Sequence, residues 1–167
     1  MSVAVSAWTD SLLCALGSRK RTSEIVFSDS QGRSGKYVGE TCDGKANGFG
    51  KWSCSSDAAP YCEGDFVENQ LHGHATKTWR AGPWAGNRYT GGFRNNKKHG
   101  VGTYSWANGD SYHGIWRDGP RHGAGVFVTS AGVEERRVYE NGALVTVNGA
   151  PAKRTAPPSP LTPRRVY

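Results

Sequence analysis

Aromatic residues and glycine alternate along the middle of the chain. The segment 89–93 reads Tyr-Thr-Gly-Gly-Phe, and the segment 102–106 reads Gly-Thr-Tyr-Ser-Trp. A period of two is that of a β-strand that carries all these residues on one face. The turn-prone run 95–100 between the segments predicts a β-hairpin whose connection is longer than two residues. The other face, which we expect to be polar and exposed to water, carries Thr90, Gly92, Arg94, Thr103 and Ser105.

The pattern recurs through most of the chain. Copies start at Tyr37, Cys62, Tyr89 and Tyr112, and a half copy follows near 135. The extra residues of the longer copies fall at 58–61 and 83–88. Both insertions precede the start of the next copy, so we expect this connection between copies to be a loop. The first two copies are degenerate, since Thr41 stands in the place of the second ring and Ala75 in the place of a glycine.

These copies predict an all-β fold, namely an elongated single-layer antiparallel meander of stacked β-hairpins with short flanking segments. A glycine between two rings leaves room for a neighbouring ring to lie on the backbone. A lone hairpin is only marginally stable in water. We therefore expect each hairpin to bury the rings of the next.

The flanks differ from the repeats. We interpret 22–36 as a capping half repeat and 1–21 as an N-terminal segment with a short helix over 8–16. That helix would cover the end of the sheet or, alternatively, dock a partner. Residues 143–167 are rich in proline and basic residues, and we expect a disordered or polyproline II tail.

The net charge of +7 is concentrated outside the repeats. Residues 37–142 hold twelve basic and eleven acidic residues, whereas 143–167 hold four basic residues and no acidic one. A nucleic-acid-binding fold more often carries its basic patch on the folded face, so we expect no nucleic-acid partner.

The cysteine pattern bears on the compartment. The four cysteines form no C-x-x-C motif, which predicts free thiols in a reducing compartment. The N-terminal apolar residues lack a basic region before them, so we expect no secretory signal. Together these features predict a cytoplasmic protein, with association to membranes or the cytoskeleton left open.

The repeat pattern resembles a known family. Y-x-G-x-F/W followed by H-G-x-G at 23-residue spacing, as in 89–102 and 112–125, is similar to the MORN repeat (membrane occupation and recognition nexus). The resemblance covers about 37–142. It implies a twisted, elongated sheet with a groove. It also implies scaffolding, protein binding or membrane association, with self-association in some members.

No constellation of residues predicts catalysis. There is no G-x-S-x-G, P-loop lysine or H-E-x-x-H motif. His72, His99 and His122 recur at one repeat position, in a predicted turn, about 10 Å apart by strand spacing. That separation is too large for a shared zinc ion. We therefore predict a non-enzymatic protein with no cofactor and no metal.

The aromatic side of the sheet is the predicted binding surface. We predict a scaffold or adaptor that binds another protein, as a helix or extended peptide along the groove, because Tyr, Trp and Arg dominate binding hot spots. The predicted contact residues are Tyr89, Phe93, Arg94, Tyr104, Trp106, Tyr112, Trp116, Arg117 and Phe127. The alternative is peripheral association with anionic membrane lipids, aided by Lys153, Arg154, Arg164 and Arg165.

Overall fold

Each strand in the described part of the chain pairs with its neighbours in sequence. The computed structural model describes residues 21–54 and 60–152. Within these ranges the strands form one twelve-stranded antiparallel sheet in the order β1 to β12, which confirms the predicted meander. The first six strands are β1 Arg21–Ser28, β2 Ser34–Cys42, β3 Lys45–Cys54, β4 Tyr61–Val67, β5 Gln70–Thr78 and β6 Arg88–Arg94. The others are β7 Lys97–Ser105, β8 Ser111–Trp116, β9 Arg121–Val128, β10 Glu134–Glu140, β11 Ala143–Val147 and β12 Ala150–Pro151.

The hairpins turn more tightly than the sequence predicts. Only Asn95 and Asn96 connect β6 to β7, and their φ angles are 48° and 66°. Two consecutive left-handed residues are characteristic of a type I′ turn, which asparagine and glycine tolerate best. The predicted longer connection over 95–100 is therefore wrong, because residues 97–100 already belong to β7.

The His-Gly motif forms a β-bulge rather than a turn. Gly91 pairs with Gly102 and Phe93 with Lys98, so the three residues 99–101 face Gly92 alone. Gly100 lies in the bulge at a φ of 74°, a conformation that favours glycine. Because bulges increase the local twist, one in each hairpin bends the sheet. The bulge also leaves Lys98 on the same face as Phe93.

The rings of one face rest on glycine backbone, as the sequence predicts. The ring of Tyr89 is fully buried, and a Cβ built on Gly102 would lie 2.3 Å from its hydroxyl oxygen. The Tyr89 hydroxyl donates to the carbonyl of Gly92 at 3.1 Å. We call this side the aromatic face. Its buried rings are Tyr37, Trp52, Phe66, Tyr89, Phe93, Tyr104, Tyr112, Trp116 and Tyr139.

The opposite face is only partly polar. Thr103 and the ring of His113 share a hydrogen bond of 2.9 Å there, as expected for a hydrated surface. However, Val101 and Ile115 are 59% and 43% exposed and line a shallow hollow of about 740 Å³. The expectation of a uniformly polar outer face is therefore wrong, since β-branched residues occupy strand positions there that the repeat motif leaves variable.

Strands extend beyond the repeats at both ends. β1 pairs with β2, and Phe27 packs against the rings of Tyr37 and Trp52 at centroid distances of 6.0 and 6.2 Å. At the other end, β11 and β12 occupy the start of the predicted tail. That tail boundary at 143 is wrong, because the apolar run 143–147 followed by Asn-Gly is a strand and hairpin-turn signal. The predicted N-terminal helix and the tail beyond 152 lie outside the described residues.

The cysteines are in different states. Cys42 is disulfide-bonded, so the prediction of free thiols is wrong for this residue; the lack of C-x-x-C does not exclude a bond between distant cysteines. Cys54 retains its thiol, which donates to the carbonyl of Ser34 at 3.1 Å. Burial raises the pKa of the Cys62 thiol to about 11, so it stays protonated at neutral pH.

Candidate binding groove

Five predicted contact residues belong to the core of the sheet. Tyr89, Phe93, Tyr104, Tyr112 and Trp116 are at most 7% exposed. Their rings meet largely edge to face, with centroids 5.1 to 6.1 Å apart. These residues therefore shape the floor of the aromatic face, and only their edges are available to a partner.

Two other predicted contact residues, Arg94 and Arg117, lie away from these rings. Arg94 follows Phe93 in β6 and is exposed on the other face of the sheet. Arg117 lies just after β8 and is exposed. Arg94 pairs with Asp118 at 2.6 Å. Neither arginine lines the hollow on the aromatic face. The predicted lipid contacts, at 153, 154, 164 and 165, lie outside the described residues.

A hollow of about 390 Å³ opens on the aromatic face over the C-terminal half of the sheet. We call it the tryptophan groove. It is lined by Trp79, Trp84, Lys98, Tyr104, Trp106, Trp116, Gly119, Pro120, Arg121 and Gly142. Three of the predicted contact residues line this groove: Tyr104 and Trp116, which are buried, and Trp106, which is only partly buried. Phe127 lies beside it, with its ring against Trp106 at 5.6 Å.

The insertion between β5 and β6 holds one wall of the groove. It contains a 3₁₀ turn at Gly82–Trp84. Asn87 anchors it to β7, since its side-chain amide donates to the Tyr104 hydroxyl at 2.7 Å and its side-chain oxygen accepts from the backbone N–H of Ala107 at 3.0 Å. This anchoring presents Trp84 with 58% of its surface exposed. The sequence predicts only a loop here; a tryptophan after Gly-Pro in an insertion was the available signal.

Two cations lie on the floor of the groove. In each of the four repeat hairpins, one residue pairs directly with the position of the second aromatic residue of the motif. We call the position of this pairing residue the cross-ring slot. The slot residues are Ala46, Leu71, Lys98 and Arg121, across from Thr41, Phe66, Phe93 and Trp116. The sequence pattern places Lys98 in a turn and does not show the slot, because the slot becomes visible only once the bulge fixes the register.

Lys98 is enclosed by rings. Its Nζ lies 3.9 Å from the ring centroid of Trp116, 4.9 Å from that of Tyr104 and 5.5 Å from that of Tyr89. Burial lowers the pKa of Lys98 to about 8, with further lowering from the positive charges of Arg121 and Lys77. No carboxylate of the described residues forms an ion pair with it.

Arg121 has a similar environment. Its guanidinium lies 4.3 Å from the ring centroid of Tyr139 and 5.6 Å from that of Tyr112, and it donates to the Tyr139 hydroxyl at 2.8 Å. In the part of the chain that the structure covers, it too has no carboxylate partner. Arg137, by contrast, lies over Phe127 and pairs with a carboxylate, that of Glu135, at 2.6 Å.

Turn residues decide how open the slot is. Each slot residue is covered by the turn of the next hairpin along the chain. The second residue of that turn donates its backbone N–H to the carbonyl of the slot residue. Asn69 and Asn96 additionally accept the N–H of Ala46 and Leu71 with their side chains, at 2.7 and 2.9 Å. Gly119 and Gly142 occupy the same place over Lys98 and Arg121 and have no side chain. The hollow around Leu71, Asn69 and Asn96 measures about 20 Å³.

The groove combines apolar walls with positive charge. Its walls are mainly indole rings, and its charged groups are Lys98 and Arg121. Among residues 21–54 and 60–152, no three His, Cys, Asp or Glu side chains are close enough to hold a metal ion. In the same ranges there is no helix long and apolar enough to cross a bilayer.

Comparison with known proteins identifies the repeats. The family model of the MORN repeat matches residues 62–83, 89–111 and 112–133. These matches start at three of the four predicted copies. The hairpin β2–β3 of the first predicted copy has the same pairing pattern, although the model does not match it. No curated protein matches the chain.

Proposed function

The chain is a MORN-repeat protein, and we propose that it is a non-enzymatic scaffold or adaptor that binds a partner protein through the tryptophan groove. MORN repeats are generally found in scaffold, adaptor and membrane-associated proteins, and proteins built from them are typically non-enzymatic. The proposal adds the location of the binding surface and the class of partner. The predicted cytoplasmic location and self-association stay predictions.

The observation that carries the proposal is the exposed tryptophan wall. Trp84 is 58% exposed although Asn87 holds its loop in place. Trp79 and Trp106 are only partly buried on the same face. Large apolar side chains grouped at a concave site mark interaction surfaces, and tryptophan is the most enriched residue in hot spots.

The shape of the groove favours a protein segment. Its walls come from the insertion 79–87, from β7 and β8, and from the turn at 117–120, so a ligand would lie across several strands. A hollow of about 390 Å³ has room for a few side chains of an extended peptide or a helix. A helix or strand laid there would cover the exposed indole edges and exclude water from them.

The test is affinity capture with full-length protein, comparing wild type with Trp84→Ala. Because Trp84 packs little in the free protein, its removal should change the free energy of unfolding by less than about 0.5 kcal/mol. Loss of a hot-spot tryptophan should weaken partner binding at least about tenfold. The matched control is Phe49→Ala, an aromatic residue 53% exposed on the outer face, which should leave binding unchanged.

A second pair of samples separates the alternative function. Full-length protein and a truncation after Ala152, which removes four basic residues, are mixed with vesicles containing phosphatidylserine. Protein partners that bind both forms support the groove. Vesicle binding that is lost in the truncation and in high salt, with no partner sensitive to Trp84→Ala, would move the function to the tail.

A further inference from the structure

We propose that the tryptophan groove receives an acidic side chain, the carboxylate of an Asp or Glu in an otherwise apolar or aromatic protein segment, between Lys98 and Arg121. This inference rests on the proposed function and adds the chemistry of the partner. The partner's carboxylate would accept hydrogen bonds from the ammonium and guanidinium groups. Its apolar neighbours would pack on the tryptophans.

The two cations lack an internal counterpart. A charge held away from water is unfavourable unless it is paired. Lys98 has three rings within 5.5 Å, and Arg121 donates to a neutral hydroxyl. By contrast, Arg137 pairs with the carboxylate of Glu135, and Arg94 pairs with that of Asp118. The groove therefore has an excess of positive charge that complements an anion.

The fold does not require charge at this position. The cross-ring slots of the first two hairpins hold Ala46 and Leu71, both buried, with the same backbone pairing. An apolar residue can therefore fill the slot. Lys98 and Arg121 replace it only in the two hairpins where a glycine turn leaves the slot open. The cations and the opening occur together, which is expected if a ligand reaches the cations.

Charge also decides among occupants. The chain's own C-terminal segment carries Lys153, Arg154, Arg164 and Arg165 and no acidic residue, so it would be repelled. The headgroups of a flat bilayer contact the exposed cations of a protein, whereas Lys98 and Arg121 are partly buried among rings. A protein segment can place one carboxylate between them and cover the surrounding indoles at the same time.

The test is selection from a phage library of random twelve-residue peptides on full-length protein, followed by titration calorimetry with synthetic copies of enriched peptides. We expect Asp or Glu flanked by aromatic or aliphatic residues. Changing that acid to its amide (Glu to Gln) in the peptide should weaken binding at least tenfold. Lys98→Leu and Arg121→Leu should each weaken binding of the acidic peptide to a similar extent. In either variant, the change of Glu to Gln in the peptide should reduce the affinity little further.

The controls separate charge from folding. Lys98→Leu places in the slot the side chain that Leu71 already has, and circular dichroism checks that it folds. Lys97→Gln removes one positive charge from the adjacent, exposed residue and should change affinity less than twofold. The change of Glu to Gln in the peptide needs no protein variant. It therefore tests whether binding depends on the carboxylate even if a variant fails to fold.

Other outcomes overturn the inference in distinguishable ways. Peptides without an acidic residue that bind wild type, and lose affinity with Trp84→Ala, would overturn the acidic partner and leave the groove as the binding surface. No peptide binding, or binding insensitive to Trp84→Ala, would count against both. Phosphatidylserine vesicles that bind through Lys98 and Arg121, where acidic peptides do not compete, would replace the protein segment with a lipid.

Discussion

The hairpins β2–β3 and β4–β5 hold Ala46 and Leu71 in the cross-ring slot, whereas β6–β7 and β8–β9 hold Lys98 and Arg121. All four hairpins share one register, with a bulge after the slot. A glycine lies beneath a ring in three of them, whereas β4–β5 has Cys62 and Ala75 in these places. The hollow around Leu71 measures about 20 Å³, and the tryptophan groove about 390 Å³.

The difference lies in positions that the repeat motif does not fix. Asn69 and Asn96 cover the slots of the first half with side-chain hydrogen bonds, and Gly119 and Gly142 leave those of the second half open. The hairpins with the most regular sequence are thus the open ones, and the degenerate hairpins are the filled ones. In this sheet the ring–glycine register provides the frame, and slot and turn residues decide where a ligand can enter.

The largest effect is expected where the common frame itself is changed. Gly102→Ala places a Cβ 2.3 Å from the Tyr89 hydroxyl and forces that buried ring to move. We expect a loss of about 3 kcal/mol or more in the free energy of unfolding, measured by urea denaturation. Val101→Ala, next to it on the outer face, should cost less than about 1 kcal/mol. Equal losses for both variants would contradict the ring–glycine account.

The next effect concerns the wall that only the second half has. Asn87→Ala leaves the buried hydroxyl of Tyr104 and the N–H of Ala107 without a partner. We expect a destabilisation of about 2 kcal/mol, and weaker partner binding because Trp84 loses its anchored loop. Denaturation and calorimetry measure the two losses. Unchanged stability would show that the insertion does not depend on Asn87.

The third effect concerns the buried charge. The pKa of Lys98 is lowered from 10.5 to about 8, so between these values the unfolded chain binds more protons than the folded one. Wild-type stability should therefore gain on the order of 2 kcal/mol relative to Lys98→Leu as pH rises from about 8 to about 10.

The comparison with Lys98→Leu is needed because other groups titrate nearby. Burial raises the pKa of Tyr89 and Tyr104, which face Lys98, and this lowers stability above pH 10 in both proteins. A constant difference between wild type and Lys98→Leu from pH 7 to pH 10 would show that Lys98 is not buried as a charge.

The smallest effect tests how the first half is closed. Asn96→Gly keeps the left-handed turn but removes the acceptor of the Leu71 N–H. We expect a loss of about 1 kcal/mol, measured by thermal unfolding. Asn95→Gly, the neighbouring turn residue, is the control and should cost less. A larger loss for the control would show that backbone conformation matters more than the side-chain hydrogen bond.

The frame of this protein follows from short-range pattern. Rings and glycines at every second position, repeated at 23 to 27 residues, predict the strands, their order and the ring–glycine contacts. This works because each hairpin contacts mainly its neighbours, so local periodicity carries most of the fold.

The groove could not be predicted in the same way. The run 95–100 is compatible with a long turn or with a two-residue turn followed by a bulge, and only cross-strand pairing places Lys98 across from Phe93. The insertion near Trp84 has no periodicity from which its position could be inferred. The sequence also could not show that Arg94 lies outside the groove, because a preference for arginine in hot spots says nothing about which face of the strand it occupies.

The most direct measurement is an NMR titration of the indole N–H signals of the six tryptophans with a bound partner peptide. Trp79, Trp84, Trp106 and Trp116 report on the groove, and Trp52 reports on the filled half. We predict that the signals of Trp84 and Trp106 shift on binding and that of Trp52 does not. A shift of Trp52 with the groove signals unchanged would contradict the central claim that the second half of the sheet is the binding surface.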